Sequence, residues 1–164
     1  MGVLIKGVFN MKRRSIVSTI DIVSDFFLSK EEMTQKKLQK MCYYAYSWYL
    51  TLFDDYLFDD GKFEAWVHGP VNPKLYDKYK IYRWRNIPKK EMPTIAAREN
   101  DFLNLIYNTF SEFNGDQLES MTHSELPWIE ARNGIEADMP SNNLISDITI
   151  INFYGNLMEK NQVE

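Results

Sequence analysis

Apolar positions recur at helical spacing in four stretches of this chain. Ile16, Ile20, Val23 and Phe27 predict an amphipathic helix over residues 15–28. Lys30, Glu31 and Glu32 form a polar link, after which Thr34 offers an N-cap and Met33 can staple to Leu38. The next helix carries Leu38, Met41, Cys42, Ala45, Trp48, Tyr49 and Leu52 on one stripe, with Tyr43, Tyr46, Leu50 and Phe53 around the rest. Apolar residues on nearly every side predict a central, buried helix.

Two short aromatic segments follow, Tyr56 to Phe58 and Phe63 to Trp66, with Asp60-Gly61 between them as a hairpin turn signal. Gly69-Pro70 is read as the stop of the second strand. Asn72 as N-cap and Pro73 at the first helical position then start a short helix to about Tyr79. Residues 81–94 read as loop. Phe102, Ile106, Thr109 and Phe113 mark another long helix ended by Asn114-Gly115, and Asp116 with Glu119 cap a short one. Thr122 to Glu125 has the capping-box pattern, and Pro127 sits close to the start of the helix it would open. Ile135 to Asn143 reads as loop. The final stretch, Asp147 to Lys160, is rich in β-branched residues, but Ile148, Ile151, Tyr154 and Met158 keep helical spacing over a length unusual for a strand. The expected fold is a mostly α, compact single-domain helical bundle with a small β-hairpin.

Composition narrows this picture. At 164 residues the chain can bury one real core, and with 45% hydrophobic residues and only 13 Gly and Pro it should fold. Residues 1–14 are read as an N-terminal extension, with Met11 as an alternative start, and residues 15–160 as the domain. No apolar run approaches the roughly 20 residues that span a bilayer. The single cysteine, Cys42, fits a reducing, cytoplasmic setting. A net charge of −4 argues against a nucleic-acid-coated surface while leaving room for a local basic patch.

Candidate chemistry is sparse. Cys42, His68 and His123 are the only residues of their kinds, and Cys42 lies on the stripe of the most buried helix, where a packing thiol is expected rather than a nucleophile. Ligand spacings for zinc are absent, the acidic cluster Asp54, Asp55, Asp59 and Asp60 reads as a solvated turn, and no phosphate loop, serine elbow or metalloprotease motif occurs. Neither a metal nor a cofactor is expected. Isolated His68 and His123 read as turn-pinning residues, and Trp66, Trp128 and Tyr76 as core or rim aromatics. From Lys74 to Lys90 basic groups alternate with rings: Lys74, Lys78, Tyr79, Tyr82, Arg83, Trp84 and Arg85 form a candidate partner surface. The alternatives are a solvated surface, a site for an acidic protein and a site for nucleic acid.

One longer pattern remains. Lys37-Leu38-Gln39-Lys40-Met41, Tyr43-Tyr44-Ala45 and Trp48-Tyr49-Leu50 precede Phe63-Glu64-Ala65-Trp66, His68-Gly69-Pro70-Val71 and Pro73-Lys74-Leu75-Tyr76; a second block holds Leu118, Met121-Thr122-His123, Glu125 and Pro127-Trp128. In order and spacing, over about residues 16–158, this resembles the SocA/GepA-like family, or Panacea antitoxin domain. His68 stands where many members carry Tyr or Lys-Tyr-type residues, and residues 81–94 have no counterpart. The resemblance implies a helical domain of prophages and other mobile elements that neutralises a cognate toxin by direct binding, in one member type as an adaptor delivering it to an ATP-dependent protease. Neither role needs an active site, so the protein is expected not to be an enzyme. The motif positions so implied, structural or binding, are Trp48, Trp66, His68, Gly69, Pro70, Pro73, Tyr76, Thr122, His123, Pro127 and Trp128. A homo-oligomer is compatible with this role. The alternative function is a nucleic-acid-binding regulator of a prophage or mobile element.

Overall fold

Thr34 accepts a hydrogen bond from the Lys37 backbone N–H at 3.2 Å and so starts the helix on which the rest is built. The computed structural model describes residues 18–163. The two-residue strand β1 (Met33–Thr34) leads into helix α2 (Gln35–Phe53), which ends where Asp54 turns left-handed and returns its N–H to Leu50. Thirteen consecutive positions allow little solvent: Leu38 to Leu50 are all buried, Lys40 included. The all-round apolar pattern has the expected consequence. Rings enclose the helix on every side, with Tyr44 stacked on Phe110 at 4.3 Å, Tyr43 edge-on to Phe63 at 5.4 Å, and Tyr49 edge-on to Phe102 at 5.2 Å. Lys36 and Lys37 oppose the helix dipole, but each meets acids: Lys37 pairs with Glu31 at 2.9 Å and Lys36 with Glu119 at 2.7 Å.

Helix α1 (Ile20–Lys30) packs Val23, Phe26 and Phe27 against α2 and begins later than expected, because Thr19 caps it through the Ile22 N–H. Ile16 and the extension at 1–14 lie outside the described residues. Asp60 adds a second fastening to this helix start, accepting from the Ile20 N–H at 2.9 Å.

The hairpin is real but is not the one expected. Strand β2 (Glu64–Trp66) pairs antiparallel with β3 (Gly69–Val71), in the register Glu64 to Val71, Ala65 to Pro70 and Trp66 to Gly69. Gly69-Pro70 therefore forms the return strand rather than a stop. Val67 and His68 make the turn, and Gly69 follows with φ +101°, a conformation glycine adopts without penalty. Tyr56 to Phe58 form no strand; Leu57 and Phe58 fill the core from an irregular segment, while Asp60 serves as a cap.

Asn72 caps helix α3 (Pro73–Tyr79) through the Leu75 N–H at 3.1 Å, as expected. The expected loop at 81–94 holds more order than foreseen: a 3-10 turn spans Lys80–Tyr82, and strand β4 (Asn86–Ile87) pairs with β1. A two-residue ladder leaves no period to detect. Helix α4 (Ala97–Phe110) buries Phe102, Leu103, Ile106 and Phe110 and stops before Phe113. Asn114 does not end it but opens helix α5 (Gly115–His123), in a capping box with Gln117. Thr122 is inside α5, so it caps nothing; helix α6 (Leu126–Arg132) starts after Glu125, with Pro127 in the first turn where its missing N–H costs nothing. Helix α7 (Asp147–Val163) confirms the helical reading of the C-terminal stretch, with Ser146 accepting from Thr149 N–H. Its core stripe is Ile150, Tyr154 and Met158; Ile148 is 73% exposed, one residue out of the expected phase. Helices α5 and α7 share most of the surface of α2 with α1, α4 and β3. Among the described residues no helix is long and apolar enough to cross a membrane.

Candidate functional site

The first two turns of α2 and the β2–β3 turn face each other across a groove of about 620 Å³, within the range of roughly 300–1,000 Å³ usual for ligand pockets. Helix α2 contributes Gln35, Lys36, Gln39 and Lys40; the hairpin contributes Trp66, Val67, His68 and Val71. Tyr76 of α3, then Arg83, and the 140–142 segment complete the wall.

Polar bonds fix these parts. Gln39 exchanges two hydrogen bonds with the Asn72 backbone, at 2.9 and 3.1 Å, and so ties α2 to the corner between β3 and α3. Trp66 meets Tyr76 edge-on at 4.9 Å and donates its indole N–H to Glu64. Behind the hairpin, Trp128 donates its indole N–H to the Trp66 carbonyl at 2.9 Å. His123 stacks on Trp128 at 4.0 Å, Arg132 covers the same indole at 5.0 Å, and Arg132 also donates to the Ala65 carbonyl. Burial lowers the pKa of His123, against the pull of Glu119 and a bond to the Val67 carbonyl. Its neutral ring is a brace for the hairpin.

Electrostatics at the groove centre on two groups. Glu119 of α5 accepts from Lys36 at 2.7 Å and sits 3.0 Å from His68 Nδ1; burial raises its pKa, but these two partners outweigh burial and hold it below the usual value. Lys40 is 1% exposed, and its Nζ has one long contact, 3.5 Å to the Pro70 carbonyl. Burial brings it down to about 7, with Glu119 raising and Lys36 further lowering it. Gly69 makes room for this amine: a Cβ there would stand 2.7 Å from Lys40 Cε and 2.9 Å from Thr122 Oγ1.

A family model described as "Antitoxin SocA-like, Panacea domain" matches residues 38–129, more than half of the chain. The chain belongs to this family. No curated protein and no solved structure matches it. The match is narrower than the resemblance over 16–158, leaving out α1 and α7, but apart from Lys37 it holds both sequence blocks and most of the groove.

Within this Panacea domain the motif residues separate by task. Trp66, His68 and Tyr76 line the groove, and Gly69 and Pro70 form the strand against Lys40. Thr122, His123 and Trp128 stand behind the hairpin, and Pro127 is buried in the first turn of α6. Pro73 starts α3, and Trp48 is core, 5.2 Å from Tyr154. Glu125 closes a separate cluster: although the residue keeps some exposure, its carboxyl accepts from Tyr44 at 2.7 Å and Tyr154 at 3.1 Å. Burial raises it to about 7, partly offset by those two hydroxyls. Cys42 is fully buried, and burial, with the Asp25 charge, raises its thiol well above the usual range.

The 74–90 stretch divides. Lys74 pairs with Asp60 at 2.7 Å, Lys78 with Asp21 at 3.0 Å, Lys80 with Asp77 at 2.9 Å and Lys90 with Asp25 at 3.1 Å. Tyr79 is buried and Tyr82 half-buried. Arg83, Trp84 and Arg85 stay exposed beside Ile81, and Arg83 reaches the groove from a left-handed backbone. Sequence reasoning placed Lys40 and Gln39 in a motif without a role and took Glu119 for a cap. A lysine within a helix that carries apolar residues on nearly every side was the available signal.

Proposed function

We propose that this protein is the antitoxin of a toxin–antitoxin pair and neutralises its cognate toxin by direct, non-catalytic contact in the cytoplasm. Membership of the Panacea family supports the antitoxin role in general. The observation that carries the binding surface is the continuity between the motif-lined groove and an exposed knuckle, where Ile81 is 73% and Trp84 77% exposed with Arg83 and Arg85 beside them. Trp and Arg at the centre of a desolvated contact supply most of a typical interface's binding energy, and apolar side chains held so far out gain most from being covered.

Co-expression with the product of the adjoining gene tests this. Wild type restores growth, and the double variant Arg83→Glu, Trp84→Ala does not, although it folds. Failure of wild type to relieve toxicity overturns the reading. An adaptor role adds that the toxin disappears faster when this protein and an ATP-dependent protease are both present; an unchanged half-life removes that part. A nucleic-acid-binding regulator is the weaker reading, because four lysines of the 74–90 stretch are ion-paired within the chain and offer less charge to phosphates.

A further inference from the structure

Lys40 carries more donors than partners. An ammonium has three N–H groups, and the one long bond to Pro70 leaves two without an acceptor among the described residues. Gln35, another lining residue, has a buried amide oxygen that likewise lacks a partner among the described residues. Unsatisfied buried groups of this kind are costly unless something completes them. The lining also has a distinct charge: it includes Lys36, Lys40 and Arg83 and no Asp or Glu, in a chain whose net charge is −4. Glu119, the acid that acts on Lys40, is already held by Lys36 and His68. The rest of the wall is apolar, from Trp66, Val71 and Tyr76.

We propose that the groove receives an extended segment of the toxin in which a Glu or Asp side chain lies beside an aliphatic or aromatic one. Its carboxylate bonds Lys40 Nζ, a backbone N–H of the segment bonds Gln35 Oε1, and its apolar side chain packs on Trp66 and Tyr76. Charge complementarity selects an acid, and the donor and acceptor together select a peptide over a simple anion. The inference deepens the antitoxin reading, from which it takes the toxin as the source of the segment.

Proton linkage gives it a signature. Burial brings Lys40 to about 7, and a bound carboxylate favours the charged amine. Binding above pH 7 therefore takes up a proton, and affinity falls about tenfold from pH 6 to pH 8. The other titratable groups around Lys40 are Lys36 on its own helix, Glu119 and His123 on α5, His68 on the hairpin turn, and Tyr76 and Arg83 at the far wall.

The test titrates the full-length, 15N-labelled protein with a pool of blocked tripeptides, Glu at the centre and Leu, Phe or Trp on either side, and with the matching Gln pool. The Glu pool shifts the Gln35 and Lys40 amides and the Trp66 indole N–H, and the Gln pool binds at least tenfold more weakly. Lys40→Met erases that preference and the pH dependence, whereas Lys160→Gln, an exposed change near the end of α7 and outside the groove, keeps both. Arg83→Gln, an exposed change that preserves the fold, weakens the Glu pool several-fold. Equal binding of the two pools, no binding, or shifts confined to residues 83–85 overturn the proposal. Failure here with growth rescue intact removes only the groove; loss of rescue with this result intact removes the toxin and leaves the groove.

Discussion

Lys40 and Glu125 are ionisable groups meeting the same helix one turn apart, Lys40 on α2 itself and Glu125 through Tyr44, and both are brought to about 7 by burial. They differ in what surrounds them. Glu125 has hydroxyl donors at 2.7 and 3.1 Å, and Tyr43 continues the chain through Tyr154. Lys40 has one carbonyl at 3.5 Å. A buried group whose bonds are complete serves the fold, whereas one left incomplete beside a groove costs the fold something and can be repaid by a ligand.

Breaking the complete cluster gives the largest expected effect. Glu125→Ala strands the Tyr44 and Tyr154 hydroxyls away from their acceptor and lowers unfolding free energy by about 2 kcal/mol. Urea denaturation measures the loss, and binding of the Glu tripeptide pool to the remaining folded protein is unchanged. A variant as stable as wild type would show that the cluster is not structural.

The second effect separates the two groups by pH. Between pH 4.5 and about 7 the folded chain keeps a proton on Glu125 that the unfolded chain has released, so stability falls as pH rises through that window. Between about pH 7 and 10.5 the unfolded chain keeps a proton on Lys40 that the folded chain has released, so stability rises with pH. Each slope reaches at most about 1.4 kcal/mol per pH unit. Urea midpoints from pH 5 to pH 9 check both: Glu125→Gln removes the falling limb and Lys40→Met the rising one. Comparing each variant with wild type isolates its limb from His123, whose lowered pKa pulls against Glu125.

Much of the frame behind this comparison was legible in the sequence. Helix α2 announced itself because apolar side chains surround it and Thr34 caps it. The hairpin was placed one strand too early because Asp60-Gly61 has strong turn chemistry; in the fold Asp60 caps α1 and pairs with Lys74, tasks set by tertiary contact. The actual turn, Val67-His68, offers only the following Gly69 as a local signal. Asn114 suits a helix end and a helix start equally, and only the Gln117 side chain decides between them. The groove joins segments from Gln35 to Asn142, so its shape has no local signature. Lys40 is buried because the hairpin lies across it. Its motif position was visible, but its environment was not.

A smaller effect of opposite sign follows from the incomplete group. Lys40→Met replaces a buried, poorly paired amine by an apolar chain of similar length, and raises stability at pH 7 by about 1 kcal/mol. The same change abolishes preference for the Glu pool. Stability gained while recognition is lost marks a residue retained for binding; a variant less stable than wild type would place Lys40 with Glu125 among groups that hold the fold.

The smallest effect on stability belongs to the knuckle. Trp84 is 77% exposed, so Trp84→Ala removes little packing and changes unfolding free energy by less than about 0.5 kcal/mol. On the proposed binding surface the toxin covers this exposed indole, and truncating such an anchor commonly costs about 2 kcal/mol or more of affinity. Titration calorimetry with purified toxin separates knuckle from groove. Trp84→Ala weakens binding equally at pH 6 and pH 8, because no titrating group is removed, whereas Lys40→Met weakens it mainly at pH 6, where the wild-type amine is charged. A Trp84→Ala loss that changed with pH would join knuckle and groove into one coupled site instead of two adjoining ones.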